Sequence, residues 1–138
     1  MKFLHLSFIP RSGDLALLVL RLWHASALLM LHGWGKLTGF SAMADQFVDP
    51  FGFGKTPSLV LAIGGEVVCT TLLILGLFTR IAALGAGATM ATAFWFVHEA
   101  KLSGEGNGEL AFLYLGVWVA LFIGGAGKYS IDAKLGVK

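Results

Sequence analysis

The sequence predicts an all-α, polytopic membrane protein: a four-helix transmembrane bundle with a short outer-surface helix in the loop after the first span. Of its 138 residues, 57% are hydrophobic and 13% are charged, and the mean hydropathy is +0.80. Soluble domains carry about 25% charged residues, so this composition cannot supply a water-exposed surface. No segment shows strand-like alternation, and lipid admits only helices or closed barrels.

Four apolar segments approach the ~20 residues that cross a ~30 Å hydrocarbon core. They define four spans in a single domain, at residues 14–37, 58–77, 80–98 and 109–125. The first segment imitates a secretory signal, with Ala25-Ser26-Ala27 as the cleavage site. However, Arg21 interrupts its apolar run and hydrophobicity resumes directly after that site, which a signal peptide does not show. We therefore expect the segment to be retained.

The loop after the first span has helical character of its own. Ser41 is a good N-cap, Met43 and Phe47 stand four residues apart, and Asp49-Pro50 ends the pattern. The sequence predicts a short helix that lies on the outer membrane surface.

Lys and Arg outside the apolar segments indicate the orientation, because cytoplasmic ends carry an excess of both. One end holds six of them: Lys2, Arg11, Arg80, Lys128, Lys134 and Lys138. The other end holds Lys36, Lys55 and Lys101. Both termini are therefore predicted to be cytoplasmic. The net charge of +2 is too small and scattered for nucleic-acid binding.

Polar residues form a stripe along the first span. At about 100° per residue, Asp14, Arg21 and His32 lie within about 40° of one line. Lys36 lies beside that line and His24 at its edge. Arg or Lys at mid-membrane costs roughly 2.5–3.5 kcal/mol on insertion scales and normally faces the bundle interior. The stripe is therefore predicted to be buried.

Glu66 is the only acidic residue deep in any span, and it is the expected partner of this stripe. At 1.5 Å per residue it lies about 12 Å below the outer end, near His32 at about 8 Å. Arg21, at about 24 Å, reaches that level only with an extended side chain. His98 ends the third span and Glu109 begins the fourth on the same side. His32, Lys36, Glu66, His98 and Glu109 thus predict an outer half-pocket.

Each candidate also has a structural interpretation. Arg21 and Glu66 could be a structural pair or part of a functional site, and His98 an interfacial anchor or a pocket wall. Glu109 could serve only to cap its helix. Cys69 is the single cysteine, so it forms no internal disulfide and no CxxC pair.

The residue pattern narrows the chemistry. No nucleophile–base–orienter set and no phosphate-binding loop is recognisable. His24 and His32, eight residues apart, are too far apart to chelate one metal as an i, i+4 pair, so no metal site is predicted. A quinone headgroup needs an apolar slot, hydrogen bonds to its carbonyls and proton-exchanging groups. Inward-facing His, Glu and Arg among Trp34, Phe94, Trp95 and Phe96 would supply these.

An ordered set of motifs covers the chain from about Leu20 to Asp132. It comprises R-x2-H and HGWGKLTGF, Glu66, LGLFTRIAA, M-x2-A…H, and GELAFLY with GAGKYSID. This set resembles the DoxX family of small bacterial membrane proteins. The resemblance implies a four-helix bundle in the bacterial inner membrane. It also implies quinone-linked oxidation of sulfur compounds in some members, and membrane complexes that handle oxidative or thiol stress in others.

The family pattern, as the resemblance implies it, falls on these positions: Arg21, His32, Gly33, Lys36, Glu66, Thr79, Arg80, Glu109, Gly127, Ser130 and Asp132. One departure concerns the pocket wall. The family leads us to expect small residues after the Glu, but here Gly64-Gly65 precede Glu66, and Val67-Val68-Cys69 follow it.

Two hypotheses of function remain open. The first is a membrane oxidoreductase component that offers an outer pocket to a quinone or a similar small redox molecule. Because the chain shows no electron-carrier motif, this hypothesis requires a protein partner that carries one, or a homo-oligomer. The second is a non-enzymatic accessory or scaffold subunit whose polar stripe only holds the helices together. A transporter is the remote third, because four short spans leave little room for alternating access.

Overall fold

The structure is a computed structural model, and it describes residues 4–6 and 8–137. Lys2 and Lys138, which enter the charge asymmetry, lie outside the described residues. The described part contains helices and no strand. The helices are α1 (Gly13–Thr38), α2 (Phe40–Met43), α3 (Lys55–Leu75), α4 (Thr79–Val97), α5 (Glu109–Gly124) and α6 (Ile131–Lys134).

Three of these helices, α1, α3 and α4, are long and apolar enough to cross a membrane. The fourth apolar helix, α5, has 16 residues and is shorter than the other three. The prediction of an all-helical chain with membrane-spanning helices is thus confirmed. In the loop after α1, the helix α2 amounts to one turn that begins at Phe40, one residue before the expected N-cap Ser41.

The four long helices pack in a closed ring. The most extensive contact joins α4 to α5; α3 packs on α4, and α1 on both α3 and α5. Small residues on α4, among them Ala82, Ala83 and Ala86, are buried at the centre. They let the backbones approach closely, as is common between membrane helices. Opposite them, Tyr114 and Trp118 stack with ring centroids 5.8 Å apart.

Large apolar side chains cover the outside of this ring on every long helix. Among the most exposed are Trp23, Leu31, Leu61, Ile81 and Ile123. Soluble monomers rarely expose contiguous apolar patches of more than a few hundred Å². An apolar exterior around a small-residue core is therefore the surface expected of a protein surrounded by lipid.

The C-terminal segment, residues 125–137, connects several helices at the end of the bundle away from α2. The Asp132 carboxylate accepts the backbone N–H groups of Phe78 and Thr79, at 2.8 and 2.9 Å, and so caps α4. The backbone N–H of Asp132 donates to the Gly76 carbonyl at 2.8 Å. Arg21 donates from Nη2 to the Tyr129 carbonyl at 2.7 Å. One segment therefore joins α1, the end of α3 and the start of α4.

The helices α1, α3 and α4 each contain one π-helical segment, at Leu29–Gly33, Gly64–Cys69 and Ala93–Val97 respectively. A π turn leaves carbonyls poorly matched to the α-helical ladder, and lipid offers them no water. In α3, threonine hydroxyls meet this need. Thr70 donates to the Glu66 carbonyl and Thr71 to the Val67 carbonyl, both at 2.6 Å. Because π turns occur frequently at functional sites, these three segments direct attention to the region between them.

Candidate functional site

The candidate site begins where α1 and α3 cross, at two of the π segments. A Cβ atom on Gly33 would lie 2.5 Å from the Glu66 carbonyl oxygen, so the two backbones touch there. On the other side of α3, Gly65 lies directly against the Thr89 side chain of α4, with no room for a Cβ. These two contacts hold Glu66 between α1 and α4. The second contact also assigns a role to Gly65, one of the two glycines that precede Glu66, whereas a Cβ added to Gly64 would meet nothing within 4 Å.

Glu66 forms a buried ion pair with Lys36, one turn beyond Gly33. Lys36 Nζ lies 2.6 Å from Glu66 Oε2, and the two side chains are 18% and 8% exposed. Lys36 Nζ also lies 3.5 Å from the His32 carbonyl oxygen. Glu66 thus pairs with the polar stripe of α1 as predicted, and Lys36 is the residue of the stripe that it contacts.

A cavity of about 1050 Å³ lies against this ion pair. Its walls come from α1, α3, α4, α5 and the loop that precedes α3. Four of the sequence-predicted residues line it: His32, Lys36, Glu66 and His98. The remaining wall is mainly apolar. Polar groups therefore converge on an otherwise apolar space, which is the usual character of a small-molecule site.

Tyr114 on α5 adds a polar group that the sequence interpretation missed. It lines the cavity, and its ring meets His32 edge-on with centroids 6.5 Å apart. Within the described part of the chain, neither the Tyr114 hydroxyl nor the His32 ring forms a hydrogen bond, so both are available to a ligand. A signal existed in the sequence: Ala111, Tyr114 and Trp118 share the buried face of α5 at helical spacing.

The loop before α3 covers the cavity on the side where α1 ends. We call residues 47–51 the roof, since Phe47, Val48, Pro50 and Phe51 line the cavity. Phe51 contacts Phe96 of α4, with ring centroids 5.0 Å apart.

Asp49 holds this roof in place. Its carboxylate accepts the backbone N–H groups of Phe53 and Gly54, at 3.0 and 2.8 Å, and the Ser58 hydroxyl at 2.9 Å. Burial alone would raise the pKa of Asp49, but these hydrogen bonds lower it below its usual range. The ionised carboxylate thus fixes the start of α3 against the loop.

The other predicted residues lie elsewhere. Arg21 is 1% exposed and lies with the C-terminal segment, far along α1 from Lys36. His24 contacts Tyr114 edge-on, at 6.1 Å between centroids, but it does not line the cavity. Glu109 is exposed at the start of α5 and is likewise absent from the cavity wall.

His98 does line the cavity. Its Nδ1 lies 2.7 Å from the Gly106 carbonyl oxygen, which can only accept a hydrogen bond, so this nitrogen carries the proton.

Metal binding finds no support among residues 4–6 and 8–137, where no group of three or more His, Cys, Asp and Glu side chains could hold an ion. What the arrangement offers is an ion pair, an imidazole and a phenol at one end of an apolar cavity. Such groups can hydrogen-bond a carbonyl and exchange protons with it.

Comparison with known proteins gives a consistent picture. The DoxX family model matches residues 16–99. The chain is 33% identical over 133 residues to "Inner membrane protein YqjF" of Escherichia coli, covering 91% of this chain and 95% of that protein. It is 36% identical over 115 residues to a Haemophilus influenzae protein named as uncharacterised, covering 78% of this chain and 81% of that one. No solved structure matches the chain.

Proposed function

The chain belongs to the DoxX family, and from that premise we propose that it is a component of a membrane oxidoreductase that presents its cavity to a quinone or a similar small redox molecule. The observation that carries the proposal is the convergence of Lys36, Glu66, His32 and Tyr114 on one end of an apolar cavity of about 1050 Å³. Small-molecule sites combine an apolar wall with a few such polar groups.

The charge balance of the cavity favours a neutral ligand. Two of the described residues that line the cavity have a Lys, Arg, Asp or Glu side chain. They are Lys36 and Glu66, and their opposite charges neutralise each other. A quinone is neutral and presents carbonyl oxygens to donors such as the Tyr114 hydroxyl and the Lys36 ammonium. Its reduction consumes protons as well as electrons. Glu66 and His32 would exchange the protons, and a partner protein would supply the electrons.

The membrane arrangement is part of the proposal. We place α5 as a fourth span beside α1, α3 and α4, and the roof with α2 on the outer surface. The apolar exterior and the name of the Escherichia coli relative support the bacterial inner membrane. The excess of Lys and Arg at the opposite end favours cytoplasmic termini.

The test is quinone occupancy and affinity. The full chain purified in mild detergent is extracted with organic solvent and analysed for quinone by mass spectrometry. It is then titrated with a tailless benzoquinone, with tryptophan fluorescence as the signal. We expect quinone in the extract and saturable quenching. Absence of both, in protein that unfolds cooperatively, would overturn the proposal.

Glu66→Gln is the decisive variant. The amide keeps the shape of the carboxyl group and can still accept a hydrogen bond from Lys36, but it cannot exchange a proton. We expect a melting temperature close to that of the wild type and a clear loss of benzoquinone affinity. His24→Gln is the matched control, because His24 lies near Tyr114 but outside the cavity wall.

The scaffold hypothesis is the second candidate, and the closed Lys36–Glu66 pair favours it, since this pair joins α1 to α3. Breaking one side of a buried pair typically costs about 3–5 kcal/mol. Under this hypothesis Glu66→Gln melts early, Lys36→Gln in the same chain restores part of the loss, and benzoquinone affinity is unaffected by either change.

A further inference from the structure

The helices that wall the cavity are closed against one another. A Cβ on Gly33 would lie 2.5 Å from the Glu66 carbonyl oxygen, so α1 and α3 are in backbone contact. Gly65 of α3 lies directly against Thr89 of α4. The contact between α4 and α5 is the most extensive between any two described helices. Passage of a molecule between two helices would have to break one of these contacts.

The roof differs from the helical walls because its hydrogen bonds lie on one side. In the residues that the structure describes, every hydrogen bond of residues 44–51 goes to residues 40–43 or 52–58. These bonds connect the roof to α2 and to the start of α3, and none of them reaches α4 or α5. On the α4 side the roof meets the bundle through the ring contact of Phe51 with Phe96. That edge can therefore move away without breaking a hydrogen bond.

Two glycines lie where the roof joins α3. Gly52 and Gly54 have φ angles of +74° and +104°, and glycine changes between such conformations at little steric cost. Hinges are typically a few loop or element-terminal residues that absorb large changes in φ and ψ. The Asp49 carboxylate bridges this pair, because it accepts the N–H groups of Phe53 and Gly54 and the Ser58 hydroxyl. It thus fixes the hinge in its present conformation.

We infer that the roof is a hinged lid, and that molecules enter the cavity beneath it from the aqueous phase at the end of the bundle where α1 ends. The roof turns about Gly52 and Gly54, and its edge at Phe51 leaves Phe96. The hydrogen bonds of Asp49 keep it closed. This route concerns access alone, so it holds whichever small molecule the cavity binds.

The competing interpretation is that Asp49 only caps α3. A carboxylate that accepts hydrogen bonds at a helix N-terminus stabilises that helix. Loss of the carboxylate would then fray α3 and expose its residues generally, whereas release of a lid would expose only the residues that line the cavity.

Cys69 is a natural reporter of access, because it is the single cysteine of the chain and it lines the cavity. The full chain in mild detergent is treated with iodoacetamide, a small neutral reagent that dissolves in water. Mass spectrometry of the peptide that contains Cys69 gives the rate of alkylation. The rate is compared for the wild type, Asp49→Ala and Asp45→Ala. Asp45 is the matched control, since it is an exposed residue of the same loop and its carboxylate accepts no hydrogen bond from any described residue.

We expect alkylation of Cys69 to be about tenfold faster in Asp49→Ala than in the wild type, which corresponds to ~1.4 kcal/mol in the opening equilibrium. The rate follows the population of the open form when opening and closing are fast. Asp45→Ala should react like the wild type. Equal rates for Asp49→Ala and Asp45→Ala would overturn the inference.

A second reporter separates opening of the roof from fraying of α3. In a Cys69→Ala chain, Leu73→Cys places the thiol one turn further along α3, at a fully buried position outside the cavity wall. We expect Asp49→Ala to leave the alkylation of this thiol unchanged. If Asp49→Ala accelerated both reporters by the same factor, the carboxylate would be a helix cap and the lid would be refuted.

A covalent link across the moving edge provides the opposite test. In the variant with Phe51→Cys and Phe96→Cys, a short bifunctional methanethiosulfonate joins the two positions whose rings are in contact in the wild type. The same variant blocked with methyl methanethiosulfonate is the unlinked control. The link should slow alkylation of the Cys69 thiols that remain free, and an unchanged rate would contradict entry beneath the roof. No quinone takes part in these measurements, so the lid and the proposed function can fail separately.

Discussion

At the scale of single residues, two glycines set the geometry around Glu66. Gly33 brings α1 against the Glu66 carbonyl, and Gly65 brings α4 against the opposite face of α3. Lys36 reaches Glu66 because the backbones of α1 and α3 touch one turn away. The distance between the Lys36 ammonium and the Glu66 carboxylate thus depends on two glycines, which have no side chain.

Gly33→Ala tests this dependence. The added Cβ would lie 2.5 Å from a backbone oxygen that cannot rotate away, so α1 and α3 must separate. We expect a loss of about 1–3 kcal/mol, the usual cost of overpacking, together with weaker benzoquinone binding. Thermal unfolding in detergent measures the first effect, and fluorescence titration the second.

Gly35→Ala is the matched control two residues further along the same helix, where nothing lies within 4 Å of an added Cβ. It should be neutral or stabilising by up to about 1 kcal/mol, since Gly lowers the stability of a helix interior relative to Ala. If the two substitutions had equal effects, the close contact at Gly33 would not govern the site.

At the scale of helices, the carboxylate that caps α4 comes from the C-terminal segment. Asp132 accepts two backbone N–H groups at the start of α4, while Arg21 joins the same segment to α1. The positive end of the α4 dipole and the buried guanidinium both favour a negative charge there. The cap therefore couples the last described helix, α6, to three of the spans.

Asp132→Asn should destabilise the protein by about 1–3 kcal/mol, because an amide offers one acceptor oxygen where two N–H groups, one of them buried, require partners. Asp14→Asn is the control, since Asp14 accepts a single exposed hydrogen bond, from the Lys128 N–H at 2.9 Å. Equal melting temperatures for the wild type and Asp132→Asn would contradict the role of the cap.

The same cap has a pH signature. Burial alone would raise the pKa of Asp132, but hydrogen bonds from Thr79 and Phe78 and the charge of Arg21 lower it below its ordinary value. The carboxylate therefore stabilises the fold above the unfolded pKa of about 3.9. This contribution is lost as the pH falls through the lower folded value. The difference in melting temperature between the wild type and Asp132→Asn should shrink below about pH 4.

At the scale of the whole molecule, Lys and Arg are distributed unequally between the two ends of the bundle. Within the described residues, Arg11, Arg80, Lys128 and Lys134 lie at the end where α1 begins and α4 starts. Of the described residues, the roof end holds three, namely Lys55, Lys101 and Lys36, and the last of these is paired with Glu66. This distribution favours the roof end outside the cell.

Cysteine labelling in intact cells checks the orientation. In a Cys69→Ala background, we expect an impermeant thiol reagent to label a new cysteine at Ser103 and to leave one at Lys134 unlabelled until the cells are opened. Both positions are exposed, so accessibility on the protein itself is comparable. Labelling at 134 but not at 103 in intact cells would reverse the proposed topology.

Apolar segment length was sufficient to find the helices, and titratable residues in those segments were sufficient to find Glu66, His32 and Lys36. The destination of Arg21 was harder to predict. Helical side chains tilt toward the N-terminus of the helix, which carries Arg21 away from Glu66 and toward the C-terminal segment. The π segment Leu29–Gly33 lies between Arg21 and Lys36 and changes the rotation of the helix there. A constant turn of about 100° per residue therefore does not give the relative directions of these two side chains. Tyr114 was missed because a single aromatic residue on a buried face is typical of any helix core.

The π segments have a consequence for how such a chain can change over evolution. A π turn accommodates one residue more than the α-helical ladder, so a single codon gained or lost in Gly64–Cys69 would alter the segment without breaking the span. Each residue turns an α-helix by about 100°, so such a change would rotate the helix beyond it relative to Glu66. Short insertions and deletions among descendants of this gene should therefore remodel the cavity more readily than substitutions of its wall.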